Sequence, residues 1–262
     1  MLEDKPYARQ MERVTFHRSG KQRRVAQGIA LMTLLRTRGQ ALVPLVYRRQ
    51  SVPKGIVPCD FRVHDRPAGG PSENQRFREM LQTAHGRGFR PAYARMDSRY
   101  ASLQNLKQTA ALGWRFLTRL KHNRLVNPDG RGSRAVAVPP EGRAVHPKGF
   151  GFVRVFRTVS RDGDAEHRAT NDLQMEEGKR AEPERQGGGI RALKRCCGVE
   201  RARVRKAVAI LGHLLLALRA FLCLEVYRLR TGVSWYEARA AIARDAIQHY
   251  LAHPIHTLQP TA

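Results

Sequence analysis

Asp97-Ser98-Arg99-Tyr100-Ala101-Ser102-Leu103-Gln104-Asn105-Leu106-Lys107, followed by Gly113-Trp114-Arg115-Phe116-Leu117-Thr118-Arg119-Leu120-Lys121, is the stretch that decides the fold class. A lone Asp closes an apolar-rich run, Phe89–Met96. A helical pattern follows at Ser102–Leu112, with Leu103, Leu106 and Leu112 on one side, and a second strand-like run occupies Trp114–Leu120. Strand ending in Asp, helix, strand is the order in which a nuclease-type α/β core presents a carboxylate to a divalent cation. An Asp at the end of a central strand faces a cleft and offers the hard oxygen ligands that Mg2+ takes. Taken alone, an Asp-Ser pair before a helix reads more often as an N-cap.

Upstream, residues 1–20 are polar and turn-rich and read as an entry segment, not a folded unit. Val25–Leu35 and Ala41–Val46 read as strands, Tyr47–Gly55 as a basic loop carrying Pro53, and Ile56–Val63 as a third short strand. Pro67–Pro71 is a turn. Ser72-Glu73-Asn74-Gln75 fits a capping box, opening a helix whose apolar face is Phe77, Met80 and Leu81 and which ends near Gly86 or Gly88.

Downstream, Asn127-Pro128-Asp129-Gly130 is a turn sequence, and the texture then changes. Ala135–Val138, Arg143–His146, Phe150–Val159 and His167–Thr170 are short alternating runs, with Asp162-Gly163 as a hairpin signal, so 130–172 reads as a small β-rich insertion. Glu176–Gly189 is charged and then Gly-rich. From Arg191 to Arg230 the pattern is helical, and Ser234-Trp235-Tyr236-Glu237 is a second capping box, opening a last helix through about Leu251.

The chain has 262 residues with 48 Lys and Arg against 22 Asp and Glu, a formal charge of +26. A field of that sign and size favours a polyanion, through phosphate neutralisation and counterion release, and points to nucleic acid. Nine of the 48 are lysines, and such an Arg bias also accompanies GC-rich coding DNA. The four cysteines, Cys59, Cys196, Cys197 and Cys223, form no CxxC pair and read as reduced cytosolic thiols. The N-terminus has no apolar signal-peptide run, and a cytoplasmic, nucleoid-associated protein is expected. Ala207–Tyr227 is long enough to span a membrane, but His213, Arg219 and Glu225 interrupt it, so it reads as a buried core helix with no membrane partner. His122, His146 and His167 lack metal-ligand spacing. The absence of a P-loop, dinucleotide fingerprint or Ser-His-Asp set points away from a small-molecule substrate.

Longer strings carry a resemblance. Asp4-Lys5-Pro6-Tyr7-Ala8, Cys59-Asp60-Phe61-Arg62-Val63, Phe116-Leu117-Thr118-Arg119-Leu120-Lys121, Ala169-Thr170-Asn171-Asp172, Cys196-Cys197-Gly198-Val199-Glu200-Arg201, Phe221-Leu222 through Val226, and Gly232 through Glu237 together resemble the DDE transposases of bacterial insertion sequences. The resemblance implies an α/β fold with an RNase H-like mixed sheet flanked by helices, and a β-rich insertion before the C-terminal helices. It implies metal-dependent DNA cleavage and strand transfer, with three carboxylates holding Mg2+ or Mn2+, of which Asp97 matches one. The expected domains are a partial core at 1–129, the insertion at 130–172, and a charged, Gly-rich segment with C-terminal core helices at 173–262. DNA contacts are expected at Lys121, Arg124, Arg191, Lys194 and Arg201, with Arg203 and Arg205 beside them. Arg201, Arg205 and Lys206 are expected to cluster on a helix before the apolar run.

The sequence also departs from that pattern. The first catalytic Asp of the family belongs a few residues before the Lys5-Pro6-Tyr7 element, and Asp4 does not match it. The third carboxylate, a Glu, belongs after an aromatic-Xaa-Ile element, but here Gly189-Ile190 runs directly into Arg191-Ala192-Leu193-Lys194. Glu176, Glu177, Glu182 and Glu184 lie upstream in a segment that reads as solvated. Tyr47–Gly55 looks like an insertion splitting a strand pair. A single carboxylate cannot hold two ions for in-line displacement, so a truncated, degenerate and inactive copy is expected. The alternative is a non-catalytic DNA-binding protein or an inhibitor of a full-length transposase.

Overall fold

The apolar run at Val25–Leu35 becomes the longest strand among the described residues. The computed structural model describes residues 2–5, 8, 10–19, 24–37, 40–45, 48–53, 56–64, 70–120, 141–159, 165–175 and 191–254. They fall into two units, Met1–Asp65 with Glu184–Ala262, and Arg66–Pro183.

In the first unit, β1 (Leu2–Asp4), β2 (Thr15–Ser19), β3 (Arg24–Thr37) and β6 (Ile56–His64) form an antiparallel sheet in which β3 pairs with the other three. Residues 1–20 are therefore not a mere entry segment. β1 pairs with Gly28–Ala30 of β3, and β2 with Arg24–Gly28. The β3–β6 register steps from Leu34↔Asp60 to Leu35↔Pro58, which leaves Cys59 as the extra residue of a bulge. Pro58, without an N–H to give the ladder, sits at that irregularity.

The basic stretch expected as a loop is also a strand. β4 (Gln40–Leu45) and β5 (Arg48–Pro53) pair antiparallel from Leu45↔Arg48 to Gln40↔Pro53. Two residues separate the paired ends, the spacing of a tight hairpin, and Pro53 falls at the last rung, where a missing N–H costs little.

The helical pattern expected from Arg191 to Arg230 breaks in the middle. Residues 191–195 are helical, a 3-10 turn follows at Val199–Arg201, and only then does α3 (Ala207–Thr231) begin. Ile210, Leu214, Ala217, Leu218 and Phe221 recur at helical spacing and join Ile29, Leu31, Val63, Leu193 and Val199 in the core. The outward face keeps Val208, Leu215 and Leu216 exposed, and the helix is long and apolar enough to cross a membrane. Glu225 is buried on α3, bound bidentately by Arg228 at 2.8 Å through both oxygens, and accepts from Trp235 Nε1 at 2.6 Å. That bond ties α3 to α4 (Trp235–Ala252), whose expected capping box is present: Ser234 Oγ accepts from Glu237 N, and Glu237 accepts from Ser234 N.

The second unit opens with α1 (Glu73–Gly86), capped reciprocally by Ser72 and Gln75 as expected. The strand before Asp97 is shorter than Phe89–Met96. It spans only Tyr93–Met96 (β7), because Pro91 can neither donate to a ladder nor leave its predecessor free. Then come α2 (Leu103–Ala111), β8 (Arg115–Leu120), β9 (Arg143–Val145), β10 (Val153–Val159) and β11 (Ala165–Thr170). The sheet order is β7-β8-β11-β10-β9, with β7 and β8 parallel and the other pairs antiparallel. The strands of the expected insertion thus extend the sheet of β7 and β8. Ala135–Val138 and Asp162-Gly163 lie outside the described residues.

Alternation sets the two faces of this sheet. Phe116 and Leu120 of β8 share one face with Val153, Val155 and Ala169 and pack on Leu106 of α2. Leu117, Phe156 and Met175 form a smaller cluster on the other face, beside Tyr93.

Candidate functional site

β7 ends at Met96, and Asp97 leaves it in extended geometry, φ −75° and ψ 160°. The Ser98 amide donates to Asp97 Oδ1 at 2.7 Å, and the Asp97 carbonyl accepts from Tyr100 N at 2.9 Å. Asp97 therefore caps a 3-10 turn, Ser98–Tyr100, whose first amide has no partner within the turn. It is exposed, at the C-terminal end of the parallel pair. The carboxylate at a strand end and the N-cap describe the same residue.

Three contacts fasten this turn. Arg99 Nε lies 2.9 Å from Glu73 Oε2 at the start of α1. The Tyr100 ring stacks on Phe77 with centroids 5.0 Å apart and 9° between planes. Burial first, then the Glu73 carboxylate, pushes the Tyr100 hydroxyl up to about 12. Asn105 of α2 is fully buried. Its Nδ2 donates to Asn74 Oδ1 at 2.8 Å and to the Tyr100 carbonyl at 3.0 Å, while its Oδ1 accepts from Arg78 at 2.9 Å. Strand, turn and both helices are thus joined around the Asp97 backbone. The sequence signal for Asn105 was present but small: an amide between Leu103 and Leu106 on a buried face.

A divalent ion needs more than this turn offers. Among the described residues, no three His, Cys, Asp or Glu side chains converge. Glu73 is engaged by Arg99. Asp172, a second carboxylate of this unit, belongs to the other end of β7. The Tyr93 hydroxyl donates to its Oδ2, and Arg115 lies 3.1 Å away. Tyr93 opens β7, so this cluster sits four residues from Asp97, about 13 Å along the strand. Burial, then the bond to Asp172, raises the Tyr93 hydroxyl above its ordinary value.

The expected basic contacts fare unevenly. Lys121 and Arg124, like Glu176, Glu177, Glu182 and Glu184, lie outside the described residues. Arg191 and Arg201 are exposed, in the first unit. Lys194 is ion-paired with Glu200. Arg201, Arg205 and Lys206 do not share a helix. Arg201 ends a 3-10 turn, and residues 202–205 are not helical.

The reason lies in the N-terminal segment. Glu12 accepts from Ala207 N at 2.6 Å and pairs with Lys206 at 3.5 Å, while its own amide donates to the Arg205 carbonyl at 2.8 Å. Lys5 Nζ donates to the carbonyls of Glu200 and Ala202 at 3.2 and 2.5 Å. The unpaired amides at the start of α3 draw the Glu12 carboxylate, and the Ala207 bond in turn holds its pKa below the ordinary carboxylate value. No local pattern could have revealed a cap 195 positions away.

Compared with known proteins, the sequence matches no family profile and no curated protein. Among solved structures the chain is similar to a piggyBac transposase in a synaptic complex with hairpin DNA. The TM-score is 0.45 and the identity 9%, over 90% of this chain and 56% of that one. The chain thus spans little more than half that transposase's length. The likeness is a distant one and assigns no residue a role.

Proposed function

We propose that this chain is a DNA-binding protein of insertion-sequence DDE-transposase descent, built on an RNase H-like core, that holds DNA without cutting it. One observation carries the reading: a formal charge of +26 stands beside Asp97, the single carboxylate among the described residues at the end of the parallel strand pair. The charge supplies phosphate affinity. The β7–Asp97–α2–β8 passage supports the descent, together with the strings quoted from Lys5 to Glu237. Against cleavage stand the Asp97 cap on Ser98 and the direct run of Ile190 into Arg191, where the resemblance calls for a Glu. The reading puts the protein on chromosomal DNA in the cytoplasm.

Fluorescence anisotropy with a labelled duplex at rising salt tests it. The logarithm of the association constant should fall linearly with the logarithm of salt, by about 0.9 for each phosphate contact. An affinity independent of salt overturns it.

A further inference from the structure

The last helix carries an apolar row that its own unit does not cover. α4 is anchored at its start, where Ala238 is fully buried and Trp235 meets Phe221 and Glu225 of α3. Beyond that turn, every residue from Ile242 to Ala252 is exposed. Tyr236, Ala240, Ala243 and Ile247 follow one another at steps of four, three and four, and Tyr250 and Leu251 close the row. At about 100° per residue these six fall within about a third of the circumference, opposite Ala238. Ile247 and Leu251 are 59% and 72% exposed. Asp245, Gln248 and His249 occupy the Ala238 side instead. Polar residues thus follow the anchored side and apolar ones point away from it, the reverse of a helix packed on its own core.

A short helical segment gains little from its own hydrogen bonds in water, so a second surface along the row stabilises it. Charge selects among the candidates for that surface. Glu237 and Asp245 balance Arg239 and Arg244, so α4 is neutral in a chain of net charge +26. Phosphate backbones and anionic lipid favour a basic polar face, which α4 lacks. Alternating steps of four and three form the seam by which one helix packs along another. Side-chain size then fits the row to its own copy. In an antiparallel pair with its two-fold axis between Ala243 and Arg244, Ile247 meets Ala240 of the second copy, and Tyr236 and Leu251 close each end. The exposed half of each helix lies along the anchored half of the other. Contact over about 27 Å of helix buries on the order of 1,000 Å2 in total, near the lower bound for a specific interface. The axis also brings the two Arg244 side chains to one edge of the seam, which opposes the pairing.

We infer that α4 pairs antiparallel with α4 of a second copy of this chain, forming a weak dimer. The contact is isologous, so it closes at two chains. It goes beyond the DNA-binding reading and does not rest on it, since α4 supplies neither net charge nor Asp97. Salt screens the repulsion between two chains of +26 and between the paired Arg244 side chains. Self-association therefore strengthens with salt, whereas duplex binding weakens.

Sedimentation equilibrium of the full chain, freed of nucleic acid and taken across the micromolar range, tests it. Ile247→Glu places a charge in the row. Ile242→Glu is the control, an isoleucine 48% exposed on the Ala238 side of the same helix. Wild type and the control should dimerise as concentration rises. Ile247→Glu should raise the dissociation constant by about a hundredfold or more, about tenfold for each of the two carboxylates brought into the seam. Arg244→Gln should tighten the dimer, and it decides the matter if Ile247→Glu fails to fold. A wild type that stays monomeric, equal weakening by both Glu variants, no gain in Arg244→Gln, or association that weakens with salt overturns the inference. A monomer that cosediments with phosphatidylcholine vesicles overturns it in favour of a lipid surface. Duplex binding, followed by anisotropy on the same samples, is expected whichever way α4 behaves, so the two readings fail separately.

Discussion

Replacing Asn105 with Ala removes the point at which the Asp97 turn, α1 and α2 meet. The side chain is fully buried and makes three hydrogen bonds: to Asn74, to the Tyr100 carbonyl and from Arg78. The bond from the charged Arg78 is worth about 1.5–3 kcal/mol and each neutral bond about 1. Arg78, Asn74 and Tyr100 are only partly buried and regain some water, so the low end applies, and the second unit should lose about 3 kcal/mol. At a urea slope of about 2 kcal/mol/M the midpoint falls by about 1.5 M. The two tryptophans make the assay specific, because Trp114 is buried in the second unit and Trp235 belongs to the first. In a Trp235→Phe background, Trp114 emission follows the second unit alone. An early midpoint with an unchanged slope is expected. A loss below about 0.5 kcal/mol, within the range of ordinary surface substitutions, would falsify the account of Asn105 as the fastener of the turn.

Three further outcomes follow from individual contacts. His167 is buried, and burial first, then Arg157, lowers its pKa from 6.5. Its unfolded form takes up a proton more readily, so stability is full above about pH 6.5 and is lost as pH falls through the folded value; melting curves should show this fall, and His167→Leu should flatten it. Glu225→Ala leaves the Arg228 guanidinium and Trp235 Nε1 without their acceptor. Because Arg228 keeps 29% of its side chain exposed, a loss near the low end for a broken buried pair, about 3 kcal/mol, is expected in chemical unfolding followed by far-UV circular dichroism; an unchanged midpoint refutes it. Gly142→Ala adds a Cβ 2.5 Å from Phe156 Cδ1 at a φ of +87°, against a ring that is fully buried. Strain and overpacking together should cost about 2–4 kcal/mol, read in urea unfolding by Trp114 emission.

What the sequence made legible was local. Ser72 with Gln75 and Ser234 with Glu237 predict their helices because a capping box lies within four residues, and both are present. The β7–α2–β8 passage was legible for the same reason, each element carrying its own period. The misreadings share one physical cause, pairing that a segment's own pattern does not encode. The basic run Arg48–Pro53 has no strand-like alternation of its own and is a strand because β4 lies beside it. The polar N-terminal segment is ordered by β3 and by the start of α3, which takes the Glu12 carboxylate as its cap.

The same division runs through the site. Asp97 stood out at a strand end, but its fastening by Glu73 and Asn105 depends on how α1 packs on α2. Lys194, matched by its motif to a DNA-contacting Lys, pairs with Glu200 six positions on, a contact the motif does not announce.

The central claim is that the chain holds DNA and does not cut it. Labelled duplex incubated with the full chain, with and without Mn2+, and run on paired native and denaturing gels addresses it directly. The account predicts a retarded band on the native gel and intact strands on the denaturing gel, under both conditions. Strand cleavage that requires Mn2+ and disappears in Asp97→Ala would contradict it.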